Sequence, residues 1–176
     1  MSESHLLRTA RLDLIGADTR SLTADLDGAS ALARAVDAVV PDEWPPEHYD
    51  ADAVRWMLEA LKSVPGDSAW RSYYIALRNP ANATRTLIGT CGFKGVPDGL
   101  GCIELGYSVL PDHQRKGYAS EAVLGLIDLA RRHGARKVAA ETYPDLVASI
   151  RVMEKCGLRF LGPGSEPGTI RYVCDT

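Results

Sequence analysis

At Arg71 the hydrophobic pattern of the chain changes period, and that change limits the possible folds more than any other feature. Before it, apolar residues recur mainly at helical spacing. After it come "SYYIAL", "TLIGTCGF" and "CIELGYSVL", three short runs separated by the turn clusters "RNPANATR" and "KGVPDGLG". Runs of this kind with turn-length connections predict an antiparallel meander. The helical period then returns. "SEAVLGLIDLARRHG" puts Ala122, Val123, Leu126, Ile127 and Ala130 on one face, with Arg131, Arg132 and His133 in its last turn and Gly134 as its stop. "KVAAETY" reads as a short buried strand. "LVASIRVMEKC" reads as a helix with Asp145 as its N-cap and Gly157 as its stop, and "LRFLG" and "TIRYVC" as closing strands. The expected fold is α/β: a mixed, mostly antiparallel sheet flanked by helices.

The residues before Arg71 supply one strand and the other helices. "ARLDLIGAD" alternates Leu12 and Leu14 with Arg11 and Asp13 and reads as a strand; "TRSLTADLDGASALARAVDAV" is helical, with Gly28 placed to split it. "VPDEWPPEHYDAD" is a proline-rich break expected to expose Trp44 and Tyr49. It leads into the helix "AVRWMLEALKSV", closed by Pro65 and Gly66.

Length and composition narrow the function classes. With 176 residues, 45% hydrophobic and 24% charged, the chain suits a single domain over 1–176 with one sizeable core. A formal net charge of -3 gives no global basic field, so no nucleic-acid partner is expected, and a bound anion would be small. Cys91, Cys102, Cys156 and Cys174 lack metal-type spacing, His113 and His133 lack a ligating companion, and no secretory leader is evident. Reduced thiols, a cytoplasmic location and no metal follow. No apolar run is long enough for a membrane span.

The stretch "PDHQRKGYASEAV", residues 111 to 123, carries the chemistry. A strand ends at Pro111 and a helix begins near Gly117, so the unpaired first-turn amides and the positive end of the helix dipole face outward. Gly117 allows close backbone approach, and Arg115 and Lys116 add charge to the rim. A phosphate or pyrophosphate suits such a site. Neither GxxxxGK[ST] nor GxGxxG occurs, which disfavours P-loop and dinucleotide folds.

The spacing Gln114, Gly117, Ala119 resembles the (Gln/Arg)-x-x-Gly-x-(Gly/Ala) signature of the GNAT superfamily of acyl-CoA-dependent N-acyltransferases. "PDLVASIRVMEKCGLRF" resembles the second half of that family. "TARLDL" is similar to the opening of its branch that includes ribosomal-protein N-terminal acetyltransferases. The likeness is strong from Ile103 to Phe160 and poor from Thr19 to Ser72, where the family builds its acceptor pocket. Leu146 stands where relatives carry Asn, which places one polar contact to the pantetheine arm in doubt, and Leu158 stands where Phe is usual.

The resemblance implies that acetyl-CoA is the co-substrate, held by Val109, Leu110, Gln114, Arg115, Lys116, Gly117, Tyr118, Ala119, Ser120, Leu146 and Ser149. Glu104 shares a strand face with Cys102, Gly106 and Ser108. It is either a general base that also touches the acceptor or an ordinary ion-pair member. Tyr107, on the apolar face, reads as core. Ser149 is the family-supported partner of the leaving thiol, or else bonds back to a carbonyl. Tyr143 is the reserve proton carrier. A base is needed because amine acceptors, with pKa values near about 7.7 to 10.4, arrive mostly protonated. A backbone N–H at the end of the Tyr107 to Leu110 strand could face the developing oxyanion. Nucleophile and thioester are both brought in, so direct attack is expected and Cys102 and Cys156 are minor alternatives as acyl carriers.

Trp44 and Tyr49, beside Asp42, Glu43 and Asp50, are the expected acceptor-side residues. The acceptor is then a small amine, with a peptide N-terminus as the alternative and a non-catalytic acyl-CoA-binding module as a third reading. A monomer or homodimer is expected.

Overall fold

A computed structural model describes residues 5–63 and 69–176. In chain order the strands are β1 Leu6–Arg8, β2 Leu12–Gly16, β3 Ser72–Arg78, β4 Arg85–Phe93, β5 Cys102–Val109, β6 Lys137–Thr142, β7 Arg159–Pro163 and β8 Ile170–Asp175. The helices are α1 Thr19–Asp27, α2 Ala29–Val36, α3 Ala51–Lys62, α4 Tyr118–Arg132 and α5 Val147–Lys155. The strands form one eight-stranded sheet in the order β1-β2-β3-β4-β5-β6-β8-β7. Every pairing is antiparallel except β5 with β6. The meander and the closing strands stand where the short runs between turn clusters put them. β1 was not foreseen, because three residues are too few to show a period. Gly28, with φ 111°, separates α1 from α2 as expected. The Pro65 and Gly66 stop lies outside the described residues.

Each face of the sheet has its own core. Ala122, Val123, Leu126 and Ala130 of α4 and Met153 of α5 pack on Leu14, Ile75, Ile88, Ile103, Leu105 and Val138. On the opposite face Leu22, Leu32, Val36 and Val54 of α1 to α3 pack on Ile15, Tyr74, Ala76 and Leu87.

The proline-rich loop departs from its expected exposure. Tyr49 is buried in the second core and Trp44 half-buried against it, because Asp25 of α1 gathers three ring donors. Trp44 Nε1 donates to Asp25 at 3.1 Å, and the Tyr49 and Tyr74 hydroxyls donate at 2.7 and 3.1 Å. Burial pushes both tyrosine hydroxyls far above the ordinary range, so they stay donors. Apolar ring surface and a shared acceptor together outweigh the exposure that the loop's composition suggested. The chosen N-cap of α5 also differs. Leu146 occupies that position without a side-chain cap, and Asp145 contributes only its carbonyl, to the Val147 amide at 2.9 Å.

Asp25→Ala would strand two buried hydroxyls and an indole N–H. We expect it to lower unfolding free energy by roughly 2 kcal/mol or more, given about 1–3 kcal/mol per unsatisfied buried group, read by urea denaturation. A change under about 0.5 kcal/mol would mean that water satisfies these donors.

Candidate active site

The site begins where two parallel strands part. β5 pairs with β6 only from Cys102 opposite Lys137 to Leu105 opposite Ala140. β5 then continues to Val109 beside β4, and β6 continues to Thr142 beside β8. Successive residues of a strand point their amides to opposite edges. Glu104 and Leu110 face β4, since Lys94 N–H donates to the Glu104 carbonyl and Leu110 N–H to the Ile88 carbonyl, each at 2.8 Å. Tyr107 and Val109 therefore turn their backbone groups toward the opening. The Leu110 amide is already engaged, so an oxyanion donor at this strand end falls to Tyr107 or Val109.

The segment after β5 shapes the mouth of this opening. A short 3-10 turn, Pro111–His113, leads into a tight coil in which Arg115 and Gly117 are both left-handed, at φ 59° and 83°. Gln114 Nε2 donates to the Val109 carbonyl at 2.9 Å, removing that carbonyl from the opening and leaving the Val109 amide facing it. Gly117 is the N-cap of α4 and no side chain caps the helix, so its first-turn amides point outward without intrahelical acceptors. Tyr118 and Ala119 pack their side chains on the core, and Ser120 is buried with its carbonyl accepting from Cys156 Sγ at 3.4 Å. What these three offer a ligand is backbone. Arg115 and Lys116 are exposed on the rim, with Lys116 Nζ donating to the Asp112 carbonyl at 2.7 Å. His113 is half-buried beside the Tyr118 ring, and its Nδ1 has no hydrogen-bond partner among the described residues. Burial, then Lys116, holds its pKa below the ordinary value, so it is neutral near pH 7.

Three residues outside the expected set hold this mouth. Glu121, in the first turns of α4, accepts from Thr9 Oγ1 at 2.6 Å, from the Arg11 amide at 2.7 Å and from Arg11 Nε at 2.7 Å. Arg11 Nη1 also donates to the Lys116 carbonyl at 3.1 Å, and its guanidinium lies 4.5 Å from the Tyr118 ring centre. Burial would raise the Glu121 carboxyl, but the Thr9 and Arg11 bonds outweigh it and keep the group ionised. "TARLDL" is thus a clamp on the turn that leads into α4. The sequence signals were the stretch itself and an acid near a helix N-terminus.

On the α1 to α3 face of the sheet, Glu104 lies between two cations. Its oxygens accept from Lys94 Nζ at 2.7 Å and Arg171 Nη1 at 3.0 Å. Arg171 also reaches Glu141 at 2.6 Å, and Glu141 accepts from the Ser165 amide and the Thr169 hydroxyl. Each Glu104 oxygen thus accepts from one cation. Beside it, a Cβ on Gly106 would meet only Lys94 Cε, at 3.8 Å, so the sheet surface there is open. Ser108 follows, in register with Thr90 and then Tyr74. That row joins the strand to the Asp25 cluster that holds Trp44 and Tyr49.

Ser149, in the first turn of α5, meets Tyr107: the Tyr107 hydroxyl is 3.0 Å from the Ser149 carbonyl and 3.1 Å from its Oγ. Tyr143 and Leu146 are exposed on the loop between β6 and α5. The four cysteines are free, and burial pushes the Cys156 thiol up to about 11, which keeps it from acting as a thiolate near neutral pH. Among the described residues, no group of three or more His, Cys, Asp or Glu could hold a metal ion, and no helix is long and apolar enough to cross a membrane.

A mixed sheet that parts between its parallel strands, with an uncapped helix at the mouth, is an acyltransferase architecture, and comparison with known proteins gives the family. The model of the acetyltransferase (GNAT) domain matches residues 19–159, and the chain belongs to that family. It is 29% identical over 153 residues to the uncharacterized N-acetyltransferase YjdG of Bacillus subtilis, covering 86% of this chain and 88% of that one. An acetyltransferase from Agrobacterium tumefaciens shares the fold at TM-score 0.67 and 22% identity, over 97% of this chain and 94% of its own. A ribosomal L7/L12 alpha-N-protein acetyltransferase in complex with coenzyme A does so at TM-score 0.68 and 18% identity, over 97% and 98%.

The Glu141 cluster makes a pH prediction. Burial would raise its carboxyl, but bonds from Ser165, Arg171 and Thr169 win and lower it from 4.5 to about 2. A depressed carboxylate stabilises the fold above the unfolded pKa and loses that contribution as pH falls. The melting-temperature gap between the wild type and Glu141→Gln should be constant above about pH 5 and shrink from about pH 4.5 toward 2. A gap that does not change with pH would mean that folding leaves the Glu141 carboxyl at its ordinary pKa.

Proposed function

We propose that this N-acetyltransferase moves an acetyl group from acetyl-CoA to a primary amine by direct attack. The observation that carries the reading is the parting of β5 and β6 with the uncapped N-terminus of α4 at its mouth. The residues present fit acetyl-CoA. Gly117 is left-handed, and a Cβ there would come within 3.4 Å of the Arg11 guanidinium, so backbone and charge border the same space. Arg115, Lys116 and the Tyr118 to Ser120 amides would hold the phosphates. The Tyr107 and Val109 amides would face the pantetheine arm and the thioester carbonyl. Leu146 offers no side-chain amide, so backbone carries that contact.

Acetyl-CoA supplies the acyl carbon and a thiolate leaving group. Ser149 Oγ supports the departing sulfur, with Tyr143 the exposed reserve. Glu104 takes the ammonium proton by exchanging Lys94 or Arg171 for it. The C–N bond forms as the C–S bond breaks, and the buried Cys156 thiol supports the absence of a covalent enzyme intermediate.

The acceptor is a small amine over Gly106, between Glu104 and Ser108. The aromatic loop supports this, since Trp44, Tyr49 and Tyr74 pack on one another with ring centres 5.7 to 6.5 Å apart and fix the wall at the end of the Ser108, Thr90 and Tyr74 row. The fold shared with an alpha-N-protein acetyltransferase supports a peptide amine as the second reading.

Saturating acetyl-CoA should raise the melting temperature, and Gly117→Val, compared with its own unliganded melt, should abolish the rise. An unmoved wild-type melting curve would remove the co-substrate. A panel of small amines and N-terminal peptides, followed by free-thiol release, identifies the acceptor, and activity confined to peptides would overturn the small-amine reading.

Glu104→Gln should lose roughly 10² to 10⁴ in turnover near neutral pH while keeping the acetyl-CoA shift, and the loss should shrink as pH nears the acceptor's own pKa. Near-normal turnover at pH 6.5 would leave Glu104 as an ion-pair member only.

A further inference from the structure

The Tyr107 hydroxyl spans the parted strands. Tyr107 belongs to the half of β5 that β6 does not pair, and its side chain crosses to the first turn of α5. A buried tyrosine hydroxyl usually finds one hydrogen-bond partner. Here one hydroxyl touches both the carbonyl and the Oγ of Ser149, at 3.0 and 3.1 Å.

We propose that Tyr107 is a positioning residue that aims the Ser149 hydroxyl hydrogen at the departing sulfur during acetyl transfer. The inference rests on the acetyl-CoA reading above. The pair has two proton arrangements. In one, Tyr107 O–H donates to the Ser149 carbonyl and Ser149 Oγ–H donates back to the tyrosine oxygen. In the other, Tyr107 O–H donates to Ser149 Oγ, and the serine hydrogen is released toward the opening.

The second arrangement presents a donor to the thiolate as the C–S bond breaks, strengthened by the bond the serine oxygen receives. No proton leaves either side chain for good: two hydroxyl hydrogens change acceptors, and the sulfur takes its proton from the amine through solvent. Burial outweighs the Ser149 bond and pushes the Tyr107 hydroxyl up to about 12, so it remains a donor over the working pH range. Without that donor, Ser149 is free to turn its hydrogen back to a carbonyl of its own helix, as serines near helix starts do.

The test uses Tyr107→Phe, which keeps the ring in the core, with Ser149→Ala and the double variant. Each is assayed for thiol release and for its melting temperature with and without acetyl-CoA. Tyr107→Phe should lower kcat about 10-fold with KM for acetyl-CoA and the acetyl-CoA shift unchanged, and the double variant should be no slower than Ser149→Ala alone. Loss of the acetyl-CoA shift in all proteins, wild type included, would instead sink the co-substrate reading. A Tyr107→Phe enzyme with normal kcat, or one whose defect adds fully to that of Ser149→Ala, would overturn the positioning role. So would a fall in kcat accompanied by an equal loss of acetyl-CoA affinity, which marks a structural tyrosine.

Discussion

The parting of β5 from β6 is the constraint around which the other features are arranged. A sheet that opens between adjacent strands gives up backbone hydrogen bonds in the middle of a core, where unpaired amides and carbonyls are costly. The chain limits the loss in three ways. Gln114 satisfies the Val109 carbonyl, Tyr107 reaches across to α5, and α4 covers the β5 flank with Ala122, Val123 and Leu126. The few amides left facing the gap are then available to a ligand. Stability and chemistry draw on the same groups.

The helix at the mouth could drift if its N-terminal turn were held only by its own backbone. The Thr9, Arg11 and Glu121 bonds prevent that by fastening it to the β1–β2 turn, which Arg78 in turn secures. Arg78 donates to the carbonyls of Thr9, Ala10 and Leu12 and to Asp13. A short chain of charge-assisted bonds thus runs from the end of β3 to the coil that precedes α4. Bonds of this kind fix orientation, which matters where several amides must converge on one small ligand.

Much of this was legible in the sequence. The change of period at Arg71 gave the meander, and the stretch around Gly117 gave the tight turn into α4, because both are local patterns. What escaped was long-range. Nothing near Glu104 announces Arg171, which lies 67 residues away, or that Lys94 would fold back across a hairpin to the same carboxylate. Trp44 and Tyr49 looked exposed because the proline-rich loop says nothing of Asp25, whose carboxylate draws the rings inward. Tyr107 was legible as an apolar-face residue, but the destination of its hydroxyl depends on where α5 begins. A carboxylate N-cap at Asp145 was locally reasonable, and the tertiary placement of Leu146 displaced it.

Gly106 has a further consequence. A glycine in the interior of a central strand costs about 0.5 to 1 kcal/mol relative to alanine, and nothing in the fold here demands it. Its backbone is not left-handed, and the space above it is open. Stability is therefore left unclaimed where the sheet surface lies bare beside Glu104. Alanine at this position would regain that stability and narrow the bare strip between Glu104 and Ser108 by one methyl group.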